Sequence, residues 1–326
     1  MGVACTRDLE GVVVKTGSAR LVLDCKDGVG ESIVWSGAET ALYWVDILGS
    51  RIHRLEPDSG RHDVWPTPEL PTSIGLTADG GFIVGLRRRV TLWRPGGTFD
   101  TLAVPEPDLP GNRLNEGVVA PDGSFWVGTM AENIGPDGLP MAMAGTTGSL
   151  YRITADGIVT GLTDDKFGIA NTMIWTDDGH FVTADTLSNA LYAYRLGSLG
   201  TALDIRHAFG SPLVRGLPDG STSDVNGAIY NARVAGGGAI AVLGANGSLI
   251  KYLDLPCASP TSCAFGGAHL DRLFVTSARF GMSNADLAVR PTEGGLFELS
   301  GLGPGGPTNS FGSAFAAPRH WGSRPT

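Results

Sequence analysis

Arg113, Asn115 and Glu116 place a cation, an amide and a carboxylate within four residues, in the run RLNEG. Those groups can hold a polar substrate. A guanidinium forms charge-assisted hydrogen bonds to oxygen, an amide both donates and accepts, and a carboxylate takes up a proton. The residues that follow suggest what positions them. Pro121-Asp122-Gly123 has turn chemistry, and Phe125, Trp126 and Val127 are aromatic or β-branched, as a strand prefers. Polar groups among the loops at a strand's end are a usual way to build a site. A solvated polar loop carries the same residue types, so the rest of the chain has to decide between the two readings.

The strand-and-turn pattern recurs six times. A Gly- and Asp-containing turn precedes a short apolar strand, then a gap, then a second strand carrying Tyr, Arg or Leu. The equivalent strand residues are Tyr43, Phe82, Phe125, Phe181, Ile229 and Phe274, whose numbers differ by 39, 43, 56, 48 and 45. Propeller blades repeat at roughly 40 to 50 residues. No helical periodicity of useful length competes, because apolar residues alternate or run in fours between turns. The expectation is an all-β chain, a six-bladed β-propeller over residues 1–302 with a Gly/Pro-rich tail over 303–326. The N-terminal strand-like run GVVVKTGSARLVLD is expected to complete the last blade beside GGLFELS. In the tail, Phe311, Phe315 and Trp321 are the residues able to dock on the propeller or on another subunit.

Composition narrows the partners. The 326 residues carry a formal net charge of −9, which argues against nucleic acid and anionic membrane surfaces. No apolar run approaches the ~20 residues of a membrane span, and MGVACTRDLEGVVVKTG lacks a secretory apolar core. A cytoplasmic protein, monomeric or homodimeric, is expected. Cys5, Cys25, Cys257 and Cys263 form no CxxC. Free thiols are favoured over a Cys257–Cys263 pair.

Four repeats bring polar residues toward the axis a propeller would have. Glu31 lies in GESIVW, Arg113 and Asn115 in RLNEG, Asn171 in IANTMIW and Asp219 in GLPDGSTSDVNG, each about ten residues ahead of a strand copy taken as its blade's inner strand. Two carboxylates and an amide carbonyl are oxygen donors, which suit a hard or borderline divalent ion with water completing its shell.

The same residues carry a family resemblance. GES-xxW, RxNxG followed by PDGxxWxGTMAE, GxLYR, an Asn before a tryptophan strand, LPDG, TSCAFGG, TSAR-x-GM and GGLFEL together resemble the SMP-30/gluconolactonase/regucalcin family, up to about Gly303. The resemblance implies a six-bladed propeller with one central divalent-metal site. Carried over by motif, the ligands are Glu31, Asn171 and Asp219, with Arg113 and Asn115 on the substrate. The chain departs from the pattern in four places: Ser32-Ile33 replaces Gly-Pro after the first Glu, Glu116 replaces Asp, Asn133 replaces a second acid after GTMAE, and Thr172 replaces Gly after the ligand Asn. None of these removes a ligand. Asn133 and the Met/Gly/Pro-rich insertion after it, which suits a lid or a tolerated loop, alter the substrate pocket.

The resemblance implies lactone hydrolysis. The ion (Ca²⁺, Zn²⁺, Mn²⁺ or Fe²⁺) would act as a Lewis acid on the carbonyl and lower the pKa of a bound water. Asp219 would be the general base, with Glu116 as the alternative acid, while Arg113 and Asn115 hold hydroxyls and the oxyanion. The substrate would be a sugar lactone such as a glucono-, arabino- or xylonolactone. The rival reading is a regucalcin-like calcium-binding or regulatory protein, and a third is hydrolysis of a non-sugar lactone. No GxSxG elbow supplies a serine nucleophile, and the six histidines show no HxH or HExxH spacing. Arg87-Arg88-Arg89 reads as a solvated strand and turn, or as one guanidinium reaching a substrate carboxylate. Asp185 and Ser188 are candidates for the channel floor.

Overall fold

The computed structural model describes residues 19–197 and 202–312. They form six sheets of four strands each, one of which gains a short fifth strand. In blades 1 to 5 the four strands follow one another in sequence as antiparallel neighbours. Blade 6 is built from both ends of the fold. Arg20–Leu23 pairs with Leu296–Ser300 and ties the first strand to the last blade. Of the N-terminal run GVVVKTGSARLVLD, Gly11 to Ser18 lie outside the described residues.

The innermost strands are Gly30–Ser36, Pro71–Thr77, Asn112–Val119, Ala170–Trp175, Leu217–Ser223 and Pro260–Gly266. Each packs against the next, and the sixth against the first, so the ring closes. This corrects one expectation. The aromatic copies are the second strands of their blades, and the polar residues ahead of them lie within the innermost strands. Runs such as GESIVW and LPDGSTS do not alternate cleanly, because both faces of an innermost strand meet protein or the axis.

Register also moves two repeat positions by one residue. Trp35, Leu76, Val119, Trp175, Ser223 and Phe265 pair with Leu42, Phe82, Phe125, Phe181, Ile229 and Leu273. Leu42 and Leu273, rather than Tyr43 and Phe274, are therefore the structural equivalents. A one-residue slip exchanges strand faces. The slip is invisible in composition here, since all four side chains are buried between blades. Aromatic contacts seal those interfaces. The Tyr43 and Phe82 ring centroids are 4.5 Å apart, and those of Trp126 and Phe181 are 4.8 Å apart.

Every innermost strand carries one extra residue relative to its neighbour, between Glu31 and Val34, Pro71 and Ser73, Leu114 and Gly117, Asn171 and Met173, Pro218 and Ser221, and Pro260 and Cys263. A bulge of this kind breaks the ladder locally and re-aims a side chain. Counting back four residues from each pairing residue named above gives Glu31, Thr72, Asn115, Asn171, Asp219 and Thr261. The six bulges thus set these residues at one level of the ring.

Residues 303–312 cross the other end of the propeller. Val225 N–H donates to Pro304 O, Thr308 Oγ1 to Trp35 O, and Asn309 Nδ2 to Val119 O. Ser310–Phe311 pairs in parallel with Leu76–Thr77, and Phe311 is buried against blades 2 and 3. Phe315 and Trp321 lie outside the described residues. Cys25, Cys257 and Cys263 are free thiols.

Candidate active site

The innermost strands start on one side of the ring, and antiparallel pairing returns the connections after the second strands to that same side. Arg113, Asn115 and Asn171 meet there. Arg113 Nη1 donates to Asn115 Oδ1 at 3.0 Å, and Asn115 Nδ2 donates to Asn171 Oδ1 at 2.9 Å. Asn133, at the root of the blade 3 insertion, accepts from Arg113 Nη2 and Nε at 3.0 and 3.3 Å. The structure therefore brings together three residues from the strand Asn112–Val119 and its neighbour with a fourth twenty positions away in sequence. Glu132 lies between two guanidiniums, 2.8 Å from Arg87 Nε and 3.6 Å from Arg113 Nε. Arg87 thus meets a carboxylate of the chain itself.

The carboxylates share one electrostatic environment. Burial, followed by the charges of Asp219 and Glu116, pushes the Glu31 carboxyl well above its usual range. Burial and Glu116 do the same to Asp219. Burial pushes Glu116 up to about 7. Burial also pulls Arg113 down to about 10, against the opposing pull of Glu132 and Glu31. Arg113 and Arg233 act on these buried carboxylates without returning them to their usual range, because a low-dielectric site disfavours like charges unless a cation joins them. Glu31, Asp219 and the Asn171 carbonyl present oxygen donors that fit a divalent cation. Asn171 is also aimed from behind: its Nδ2 donates to Thr186 Oγ1 at 2.8 Å, and Thr186 Oγ1 donates to Pro218 O at 2.7 Å.

Glu116 stands one residue deeper than Asn115. It lines a cavity of about 210 Å³ with Ser32, Ser221, Ser262 and Cys263, bounded on the far side by Gly306–Asn309. From this cavity its charge acts on both Glu31 and Asp219. Asp185 fastens a loop: it accepts from Gly168, Ile169 and Leu187 N–H and from Ser188 Oγ. The insertion is anchored at both ends of its first turn. Ile134 is buried in the apolar cluster of blades 1 and 2, against which Phe280 also packs, and Pro140 lies beside Gly281 of blade 6.

A second group, Asp27, Asp46 and His53, brings carboxylate and imidazole atoms within 4.8 Å of one another. Its charges already have partners. Asp27 accepts from Trp44 Nε1 at 2.8 Å and Arg51 Nη2 at 3.0 Å, with His53 Nε2 at 3.2 Å. Asp46 faces Arg51 Nη2 at 2.9 Å and accepts from Val29 N–H at 3.1 Å. Burial alone would raise Asp27, but His53, Trp44 and Arg51 hold it below its ordinary value. Asp46 ends its strand where Asp185 does in blade 4, and both secure main-chain N–H groups. The cluster clamps Arg51 and main-chain N–H groups, and its three side chains also lie close enough together to hold a cation, so it and the axial carboxylates are the two candidate donor sets.

Sequence reading missed Thr72 and Thr261, which complete the ring level. Both hydroxyls bond main-chain oxygen, of Gly85 and Gly30. It also missed Asn231 and Arg233. The polar alternation of YNARV, inside a strand with apolar neighbours, is the signal that could have found them.

Residues 29–279 match the SMP-30/Gluconolactonase/LRE-like region. The chain is 32% identical to regucalcin of Gallus gallus over 84% of its own length and 91% of that protein's. It is 34% identical to a 6-deoxy-6-sulfogluconolactonase of Pseudomonas putida, over 82% and 90%. Among solved structures it superposes on a calcium-binding protein, regucalcin, of Agrobacterium tumefaciens with a TM-score of 0.79 at 28% identity, covering 91% and 98% of the two chains. A matched region of this extent on a closed six-bladed ring means that the chain belongs to the SMP-30/Gluconolactonase/LRE-like family.

Proposed function

We propose that this protein is a divalent-metal-dependent hydrolase that opens a sugar lactone to its aldonic acid. The observation that carries the reading is the hydrogen-bonded run from Arg113 through Asn115 to Asn171, which joins substrate-type donors to a cation-type carbonyl. A site that only stored a cation would need neither Arg113 nor Asn115. Relatives named as a sulfogluconolactonase, a pentonolactonase and an L-arabinolactonase, at 33–34% identity, support a lactonase.

Glu31, Asn171 and Asp219 would hold the ion, which when bound supplies Lewis acidity toward the lactone carbonyl. Asp219 acts as the base that takes a proton from the attacking water, since its carboxylate stands among the ligands at the axis. Arg113 donates to oxygens of the substrate and to the developing oxyanion, and Asn115 orients a ring hydroxyl. The anchoring of Arg113 by Asn133 and Asn115 limits its motion, so fewer rotamers are lost on binding.

A regucalcin-like calcium-binding role is the second reading, favoured by the regucalcin relatives. Proton release from a panel of aldonolactones separates the two, measured with metal-stripped protein and with Ca²⁺, Zn²⁺, Mn²⁺ or Fe²⁺ restored. Hydrolysis that vanishes on stripping and returns with one ion supports the lactonase. Tight ion binding without turnover above the spontaneous rate supports the binding protein.

A further inference from the structure

Thr172 follows Asn171 with a backbone φ of 54°, and Ser32 follows Glu31 with a φ of 53°. Glycine enters this left-handed region freely, whereas a β-branched residue there is an outlier that persists only where its surroundings hold it. What holds Thr172 is the next blade. Its hydroxyl donates to the main-chain oxygen of Asp219 and lies 2.8 Å from Ser221 Oγ. It accepts from Asn231 Nδ2 at 3.2 Å. Asn231 Nδ2 also reaches the Asp219 oxygen at 3.1 Å. Behind it, Arg233 Nη1 donates to Asn231 Oδ1 at 2.9 Å, and the remaining Arg233 donors reach Arg215 O, Gly216 O and Asn189 Oδ1. Thr172, Asn231 and Arg233 are completely buried.

Ser32 makes the parallel contact in blade 1. Its hydroxyl accepts from Ile74 N–H at 2.9 Å and faces Ile74 O at 3.4 Å. The two cases differ in what is gripped. Ser32 holds an apolar residue of blade 2, whereas Thr172 holds the main chain of Asp219 itself.

We infer that Thr172 is a positioning residue whose hydroxyl fixes the Asp219 main chain relative to Asn171, setting the spacing of two cation donors on adjacent blades before an ion arrives. This rests on reading Glu31, Asn171 and Asp219 as the cation's ligands. The strained backbone of Thr172 is the local consequence of placing a hydroxyl where a glycine would sit without strain. Serine keeps the hydroxyl at this position. Glycine removes the hydroxyl and the strain together, so stability and ligand geometry should part company.

The test is calorimetric titration of metal-stripped wild type, Thr172→Ser and Thr172→Gly with Mn²⁺, alongside the melting temperature of each metal-free protein. Wild type is expected to take one ion per chain, with Thr172→Ser within about twofold of it. Thr172→Gly is expected to bind about tenfold or more weakly, as loss of a supporting contact does at metal sites, while melting no lower than wild type. Undiminished affinity in Thr172→Gly overturns the inference, and so does equal weakening in Thr172→Ser. Weak binding accompanied by a clear drop in metal-free melting also overturns it, because the role would then be general to the fold. If wild type itself takes up no Mn²⁺, the ligand reading falls and the inference falls with it.

Discussion

Asn115 of the third blade donates its side-chain amide to Asn171 Oδ1 of the fourth at 2.9 Å, and Asn171 in turn donates to Thr186 Oγ1. The residue proposed to contact substrate and the one proposed to hold the cation therefore share one hydrogen-bonded unit that spans a blade boundary. Thr186→Val removes the acceptor that holds the Asn171 amide in one orientation. Cation affinity, read by calorimetry, is expected to fall about tenfold with the fold retained. Asn115→Ala should instead act on the lactone, raising KM by about tenfold, the loss expected for one hydrogen bond.

Glu31→Gln and Asp219→Ala are each expected to abolish metal-dependent hydrolysis while preserving the far-ultraviolet circular dichroism of a β-protein. Full activity in either variant would falsify the ligand assignment. The same substitutions relieve the crowding of buried like charges around Glu116. Metal-free Glu31→Gln should therefore melt above metal-free wild type at pH 8.

Acidity offers an independent check. Glu116 is raised from 4.5 to about 7, and Glu31 and Asp219 are raised as well, so the folded metal-free chain binds more protons than the unfolded chain across that window. Stability rises with pH where the unfolded state holds more protons, so here these groups make it fall as pH increases from about 5 to 7 and beyond. Thermal melts of stripped and Mn²⁺-loaded protein should diverge as pH rises, with the loaded protein the more stable. Parallel curves would argue against a cation among these carboxylates.

Asp27, Asp46 and His53 supply a contrasting case. Arg51 contacts both carboxylates, so Asp46→Asn should leave the ion stoichiometry at one per chain. It should cost stability of about 1–3 kcal/mol, the usual cost of leaving a buried donor poorly paired. A lost ion in this variant would move the cation from the axis to this cluster.

Much of the molecule was legible in the chain. Six turn-and-strand repeats dictated six blades because each repeat must bury both sheet faces against its neighbours, and Gly and Asp mark the reversals. The types and spacing of Arg113, Asn115, Asn171 and Asp219 announced polar chemistry at repeated positions. What composition could not carry was register. Leu42 and Leu273 took the places assigned to Tyr43 and Phe274, since apolar residues on both faces give a strand no outward side to reveal a one-residue slip.

The sequence by itself determined the repeat, the acidic charge and the residue types available at the axis. Only the tertiary structure decided that Glu31, Thr72, Asn115, Asn171, Asp219 and Thr261 occupy one level, that Glu116 faces the cavity beneath it, and that Thr172 holds the main chain of Asp219. The reason is geometric. A bulge shifts a side chain by one residue, and ring closure brings together groups separated by tens or hundreds of positions. Local residue preference encodes neither operation, because both depend on how one blade seats against the next.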